Sequence, residues 1–169
     1  MLFLILYYLS RETKVCKIVL TAETSPVSTC KLELSCPVCP CIACNNCLEN
    51  IVVDGVGLSC SVNARAGREL EMIIKPAAKP KKVLVIGAGP AGMEVARLAS
   101  ARGHKVTVWE KSDHTGGQLT LACCPPHKEE LLNYNSYLTR QLGKCGAKLV
   151  LNKDATAQAV QAEKPDVVI

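Results

Sequence analysis

Aromatic side chains are scarce, at 4% of the 169 residues, and no long apolar run occurs. The first lack weakens any case for nucleic acid. Part of the net charge of +5 sits in a short Lys/Pro stretch from Lys75 to Lys82, with no rings on which bases could stack. That stretch reads as a solvated linker. The second lack excludes a membrane-spanning helix, because the opening run Met1–Leu9 is far shorter than the roughly 20 residues a bilayer core requires. The run also has no leading basic residue and no small-x-small cleavage site, so a secretory signal is not expected. A buried strand, or a start that is not native to its domain, is the expectation there. Residues 10–33 show no clear period and are assigned to a strand and turns, completing a poorly defined N-terminal segment, 1–35.

Cysteine, by contrast, is abundant. Of 11 in the chain, eight precede residue 61 and five lie from Cys36 to Cys47. Neighbours that close would mostly pair with strain, and the count is odd, so metal suits them better than disulfides. A reducing cytoplasm keeps such thiols available. From Cys36 to Cys60 the chain reads as short loops, with Gly55 and Gly57 as turn makers, the pattern of a segment (36–62) folded around a metal centre.

A linker, 63–82, separates that segment from a region of different period, 83–169. Val83–Ile86 is a continuous apolar run ended by glycine, as a parallel strand buried on both faces would be. Pro90 pre-sets the first turn of a helix with Ala91, Val95, Leu98 and Ala99 on one face, and Gly103 stops it. Val106–Trp109 is the next strand. Pro125-Pro126 opens a second helix with Leu131, Leu138 and Leu142 as its stripe, ending near Gly143 or Gly146. Strands over 147–151 and 166–169 flank a short helix near 155–163. The order predicts an α/β fold, a partial Rossmann-type parallel sheet preceded by the loop-rich cysteine segment. Such a sheet normally continues beyond a fourth strand, so the domain is expected to be cut short.

Gly87-Ala-Gly89-Pro90-Ala91-Gly92 lies between a buried strand and a helix, the context in which a weak glycine pattern becomes specific. Gly87 permits the tight turn, Gly89 lets backbone approach a pyrophosphate, and Gly92 lets helix and strand pack closely. The helix N-terminus adds free amides and partial positive charge. Glu110, followed by Lys111, ends the second strand where a carboxylate accepts ribose hydroxyls and repels a 2′-phosphate. The ligand is therefore FAD or NAD before NADP. Gly116-Gly117-Gln118-Leu119 follows at the spacing of flavoproteins similar to glutathione reductase, where paired glycines let the chain pass close to FAD. FAD is the expected cofactor, with NAD and an empty fold as alternatives. His104 and His114 fall in surface turns without a partner motif and receive no catalytic role.

Cys41-x-x-Cys44-x-x-Cys47, followed by Cys60, supplies four thiolates able to hold a [4Fe-4S] cluster. Spacing alone leaves zinc, or no metal, as alternatives. Cys36 and Cys39 are read as spare thiols near the cluster, able to substitute for a ligand. Adjacent cysteines bridge only with strain, so Cys123-Cys124 is read as a pair of structural thiols.

Taken together, Pro40–Cys47, Cys60–Asn63, Gly67–Glu69, Lys81–Met93, Arg102–His104 and Gly116–Leu119 resemble the iron–sulfur flavoproteins of the old yellow enzyme superfamily. These include 2,4-dienoyl-CoA reductase, enoate reductase and trimethylamine dehydrogenase, and the cysteine spacing is most similar to the last. The resemblance covers roughly residues 40–169. It implies a chain of electron transfer from NAD(P)H through FAD and a cluster to FMN on a TIM barrel, which reduces an activated alkene. It also implies that the barrel is separate or missing here, together with the nicotinamide-binding domain. Departures from the family are Cys39 where Arg is usual, Ala43 where Gly is usual and Ala64 where Pro is usual. Three alternatives stand beside this reading. One is a stand-alone dinucleotide-binding electron-transfer module, one a zinc-stabilised interaction protein, and one an electron-transfer protein of the glutamate synthase small-subunit type. No nucleic acid and no membrane partner is expected.

Overall fold

Val83, Leu84 and Val85 are nearly devoid of solvent contact, and this run of β-branched and apolar side chains forms the central strand of a four-stranded parallel sheet. The computed structural model describes residues 38–169. The opening apolar run, the strand and turns of 10–33 and Cys36 lie outside the described residues.

Strand β1 (Lys82–Ile86) is flanked by β2 (Lys105–Trp109) on one side and β4 (Val167–Val168) on the other, and β3 (Lys148–Val150) adds outside β2. Register is tight along the central pair, with Val83 opposite Val106 and Ile86 opposite Trp109. The order β3-β2-β1-β4 reverses direction at β1, so the carboxyl ends of β1 and β2 open a crevice of the kind that binds ligands in open α/β sheets.

The helices are α1 (Asn46–Leu48), α2 (Pro90–Ala101), α3 (Leu119–Ala122), α4 (Glu130–Lys144) and α5 (Ala157–Glu163). Helix α1 runs on as a π-helical turn, Glu49–Val53. Pro90 does occupy the first turn of α2, but the face that α2 buries differs from expectation. Met93 and Ala96 are buried, Val95 and Ala99 pack beside the core, and Ala91 is exposed. The cause is that α2 touches β1, β2 and α4 at once, so its apolar face is wider than one stripe. Helix α4 begins at Glu130, five residues after Pro125, because the prolines form a turn that ends with His127 at φ 63°. It buries Tyr134, Leu138 and Leu142; Leu131 is only partly covered. Helix α3 was not expected from the sequence, as its four residues are too few to show a period.

Thr156 caps α5, its hydroxyl accepting from Ala159 N–H at 3.2 Å. Lys82 Nζ then meets the Glu163 carboxylate at 2.9 Å and tethers the end of α5 to β1. Upstream, residues from Val38 belong to the same compact unit as the sheet. Cys39, Ile42 and Val62 pack against the core cluster, yet no residue from Val38 to Lys81 is itself buried. Among the described residues no helix is long and apolar enough to cross a membrane.

Candidate functional site

A cleft of about 740 Å³ opens at the carboxyl ends of β1 and β2. Its walls include Gly87, Gly89, Glu110, Lys111, Gly117 and Gln118, six residues singled out from sequence. Pro90, Ala91 and Gly92 stand behind the wall, in the first turn of α2.

The glycines separate by cause. Gly87 adopts φ +100°, which an L side chain rarely tolerates, and its N–H donates to Trp109 O at 2.7 Å, turning the chain off β1. A Cβ on Gly92 would stand 2.0 Å from Gly87 O, so side-chain absence there lets α2 close on the turn. Gly89 is different. Its φ is −74° and a Cβ built on it meets nothing within 4 Å, so neither conformation nor packing within the protein calls for glycine. The vacancy faces the cleft, beside the amides at the start of α2, and it matches the close backbone approach that a diphosphate needs. Gly117 lies against it, its notional Cβ 3.3 Å from Gly89 Cα, while Gly116 N–H donates to Ala88 O at 2.8 Å. The paired glycines thus dock on the phosphate turn, and the Asn135 carboxamide on α4 covers Gly116 closely.

Glu110 is 8% exposed, the one buried charged side chain among the described residues. One carboxylate oxygen accepts from Ala88 N–H at 2.6 Å and the other from Ser112 N–H at 2.9 Å. Burial alone would raise its pKa, but these hydrogen bonds outweigh burial and hold the carboxyl below its ordinary value. The ionised group therefore ties the end of β2 to the phosphate turn, with lone pairs remaining for a ligand.

Sequence reading missed the far wall. Lys153, Asp154 and Ala155, just past β3, line the cleft, as do Trp109, Ser112, Thr120 and Leu121. Lys153 N–H donates to Glu110 O at 2.8 Å, and its ammonium sits 5.1 Å from the Trp109 ring centroid. A loop carrying no motif is found only when the sheet brings it beside β2. His114 also lines the cleft, with Nδ1 2.6 Å from Asp113 Oδ1, whereas His104 Nδ1 accepts from Lys81 N–H at 3.1 Å at the amino ends of β1 and β2, away from the cleft.

The cysteines occupy a tight loop. Ala43 and Asn45 both adopt left-handed backbone, φ 52° and 59°, which winds Cys41, Cys44 and Cys47 through a short path. Ala43 N–H donates to Cys41 Sγ at 3.3 Å, and Cys44 Sγ lies 3.4 Å from the hydroxyl of Ser61, the neighbour of Cys60. That hydroxyl and the Asn46 N–H hold the Cys44 thiol below its ordinary value. Among the described residues no three Cys, His, Asp or Glu side chains are gathered into a metal-ready set. Cys41, Cys44, Cys47 and Cys60 are all free thiols. Cys39, read from sequence as a spare thiol near the cluster, is free. It is half-buried against the sheet unit, its thiol 3.5 Å from Val62 O, and burial followed by the proximity of Cys60 and Glu94 pushes its pKa up to about 11.

Residues 85–123 match the model of an NAD(P)-binding Rossmann-like domain. The chain is 47% identical over 122 residues to a metal reductase of Desulforamulus reducens, covering 72% of this chain and 18% of that protein. It is 43% identical over 129 residues to a bilirubin reductase of Mediterraneibacter gnavus, covering 76% of this chain and 20% of the relative. Among solved structures, a 2-naphthoyl-CoA reductase superposes with a TM-score of 0.71 at 47% identity, over 76% of this chain and 20% of the other. The chain therefore spans about a fifth of the length of the relatives it matches. Across that shared stretch its homologues are reductases of the old yellow enzyme and 2,4-dienoyl-CoA reductase type, and residues 85–123 carry the dinucleotide-binding match.

Proposed function

We propose that this chain is the electron-relay portion of an NAD(P)H-dependent flavin oxidoreductase that reduces activated alkenes, with FAD in the cleft and a [4Fe-4S] cluster on Cys41, Cys44, Cys47 and Cys60. The observation that carries the FAD assignment is Gly89, whose missing Cβ leaves a cleft-facing vacancy beside the first amides of α2. Gly87 and Gly89 would cradle the diphosphate, Glu110 would accept ribose hydroxyls, and Gly117 and Gln118 would border the dinucleotide farther along. The family's reductases of bilirubin and of 2-naphthoyl-CoA support the reductive direction.

The donor set supports the cluster. Three thiols on one tight loop, Cys41, Cys44 and Cys47, with Cys60 farther along the chain, match the thiolate chemistry of iron–sulfur ligation. When bound, FAD accepts an electron pair from reduced nicotinamide and the cluster passes electrons singly. The protein's own part is to orient and insulate: Glu110 holds the phosphate turn in shape, and the Gly116-Gly117 loop closes against it. The remaining four fifths of the relatives' length would supply the FMN barrel and the nicotinamide-binding domain, whether on the same polypeptide or a separate one.

Anaerobic reconstitution with iron, sulfide and FAD tests this reading. Visible and paramagnetic resonance spectra are expected to show a reducible cluster absorbance, with about four irons and one flavin per chain. A colourless protein holding zinc and no flavin would overturn it in favour of a zinc-stabilised interaction protein.

A further inference from the structure

Cys123 and Cys124 follow α3, and packing does not account for them. Neither belongs to the core cluster, Cys124 is exposed, and Cys123 is only half-buried. Their thiols converge on one acceptor: Thr120 O lies 3.1 Å from Cys123 Sγ and 3.5 Å from Cys124 Sγ. Both side chains therefore point to the same side of the helix end, which adjacency in sequence does not by itself require.

The backbone beneath them is held. Cys123 N–H donates to Leu119 O at 3.1 Å and Cys124 N–H to Leu121 O at 3.1 Å. Pro125 then disfavours helical backbone at Cys124 and ends the helix there. A direct S–S bond is ill suited to this frame, because it demands one narrow Cβ separation and dihedral angle. An atom inserted between the sulfurs lengthens the bridge and relaxes that demand. Among the described residues the pair has no third donor, since they contain no cluster of three Cys, His, Asp or Glu side chains able to hold a metal ion. Those residues offer a two-sulfur chelate, not the four-coordinate site that zinc prefers.

We propose that Cys123 and Cys124 form a two-thiol chelating site for thiophilic trivalent metalloids of the arsenical class. With an organic arsenic(III) oxide the reaction balances without redox change. Two S–H bonds and the arsenic–oxygen link break, two As–S bonds form, and the two protons leave with the oxygen as one water. The second As–S bond forms within one molecule, so the chelate outlasts any single-thiol adduct. The site uses none of the residues assigned to the dinucleotide or the cluster, although Thr120, whose carbonyl both thiols face, also lines the cleft.

The full chain, incubated with phenylarsine oxide and then washed with excess glutathione, tests the site by peptide mass. Trypsin cleavage after Lys111 and Lys128 releases residues 112–128, whose only cysteines are these two, so capture by the N-terminal cysteines is read separately. The expected result is one phenylarsenic group retained on that peptide, and its loss in Cys123→Ser and in Cys124→Ser alike. An unmodified peptide from the wild-type chain, or undiminished retention in either single variant, overturns the proposal. Cys124 is exposed, so Cys124→Ser leaves the core untouched and remains a fair test if Cys123→Ser folds poorly.

Discussion

Two stretches of this chain reach their shapes by different means. From Lys82 onward, a sheet and two helices enclose a core in which Leu84, Met93, Leu138 and Leu142 are each about 1% exposed. From Val38 to Lys81 nothing is buried, and Leu48, Ile51, Val52, Val53, Val56 and Leu58 all stand in solvent. The first stretch is stabilised by removal of apolar surface from water. The second is held by turns, by a handful of side-chain hydrogen bonds, and by Cys39, Ile42 and Val62 resting on the sheet unit. A segment without a core of its own is expected to gain stability from any metal it takes up, as small metal-organised loops do.

Cavity-forming substitutions break that contrast most directly. Leu84→Ala is expected to destabilise the chain by about 3 kcal/mol in urea unfolding, while Val53→Ala, at a side chain 76% exposed, changes it by less than about 0.5 kcal/mol. Equal costs at the two sites would show that the upstream stretch has a core of its own.

The glycines sharpen the comparison within the sheet unit. Gly92→Ala places a methyl against Gly87 O and should cost about 2 kcal/mol. Gly89→Ala should leave stability within about 0.5 kcal/mol of wild type. It should weaken FAD binding, followed by flavin fluorescence, by at least about tenfold, or about 1.4 kcal/mol.

Glu110→Ala should cost about 2 kcal/mol, because Ala88 N–H is left buried without an acceptor. It should also flatten the acid limb of stability. The folded-state pKa of Glu110 is depressed, so its contribution is complete above the unfolded carboxylate value and is lost as pH falls through the folded value. Urea titrations of wild type and variant across that range are expected to converge at the acid end. A stabilising change is expected in the upstream loop. Ala43 sits at φ 52°, a conformation that favours glycine, and Ala43→Gly should stabilise by about 1 kcal/mol.

Much of this was legible beforehand because it rests on local rules. The apolar run at Val83, the glycine turn and the carboxylate ending β2 are each dictated by neighbours in the chain, and all three stand where expected. The helix after Pro125-Pro126 was placed too early, since proline marks a helix start only when the next residues continue it, and here they turn at His127 first. The buried face of α2 was shifted because Met93 and Ala96 answer to three neighbouring elements.

By itself, then, the amino-acid order determined the parallel α/β class and the phosphate turn, because periodicity and backbone stereochemistry act over a few residues. Only the tertiary structure decided that Lys153–Ala155 complete the cleft, that Glu110 spends its carboxylate on Ala88 and Ser112, and that Cys39 lies packed against the sheet unit. Apart from that of Glu110 with Ser112, those contacts join residues far apart along the chain, and the right partners meet only after the sheet has formed.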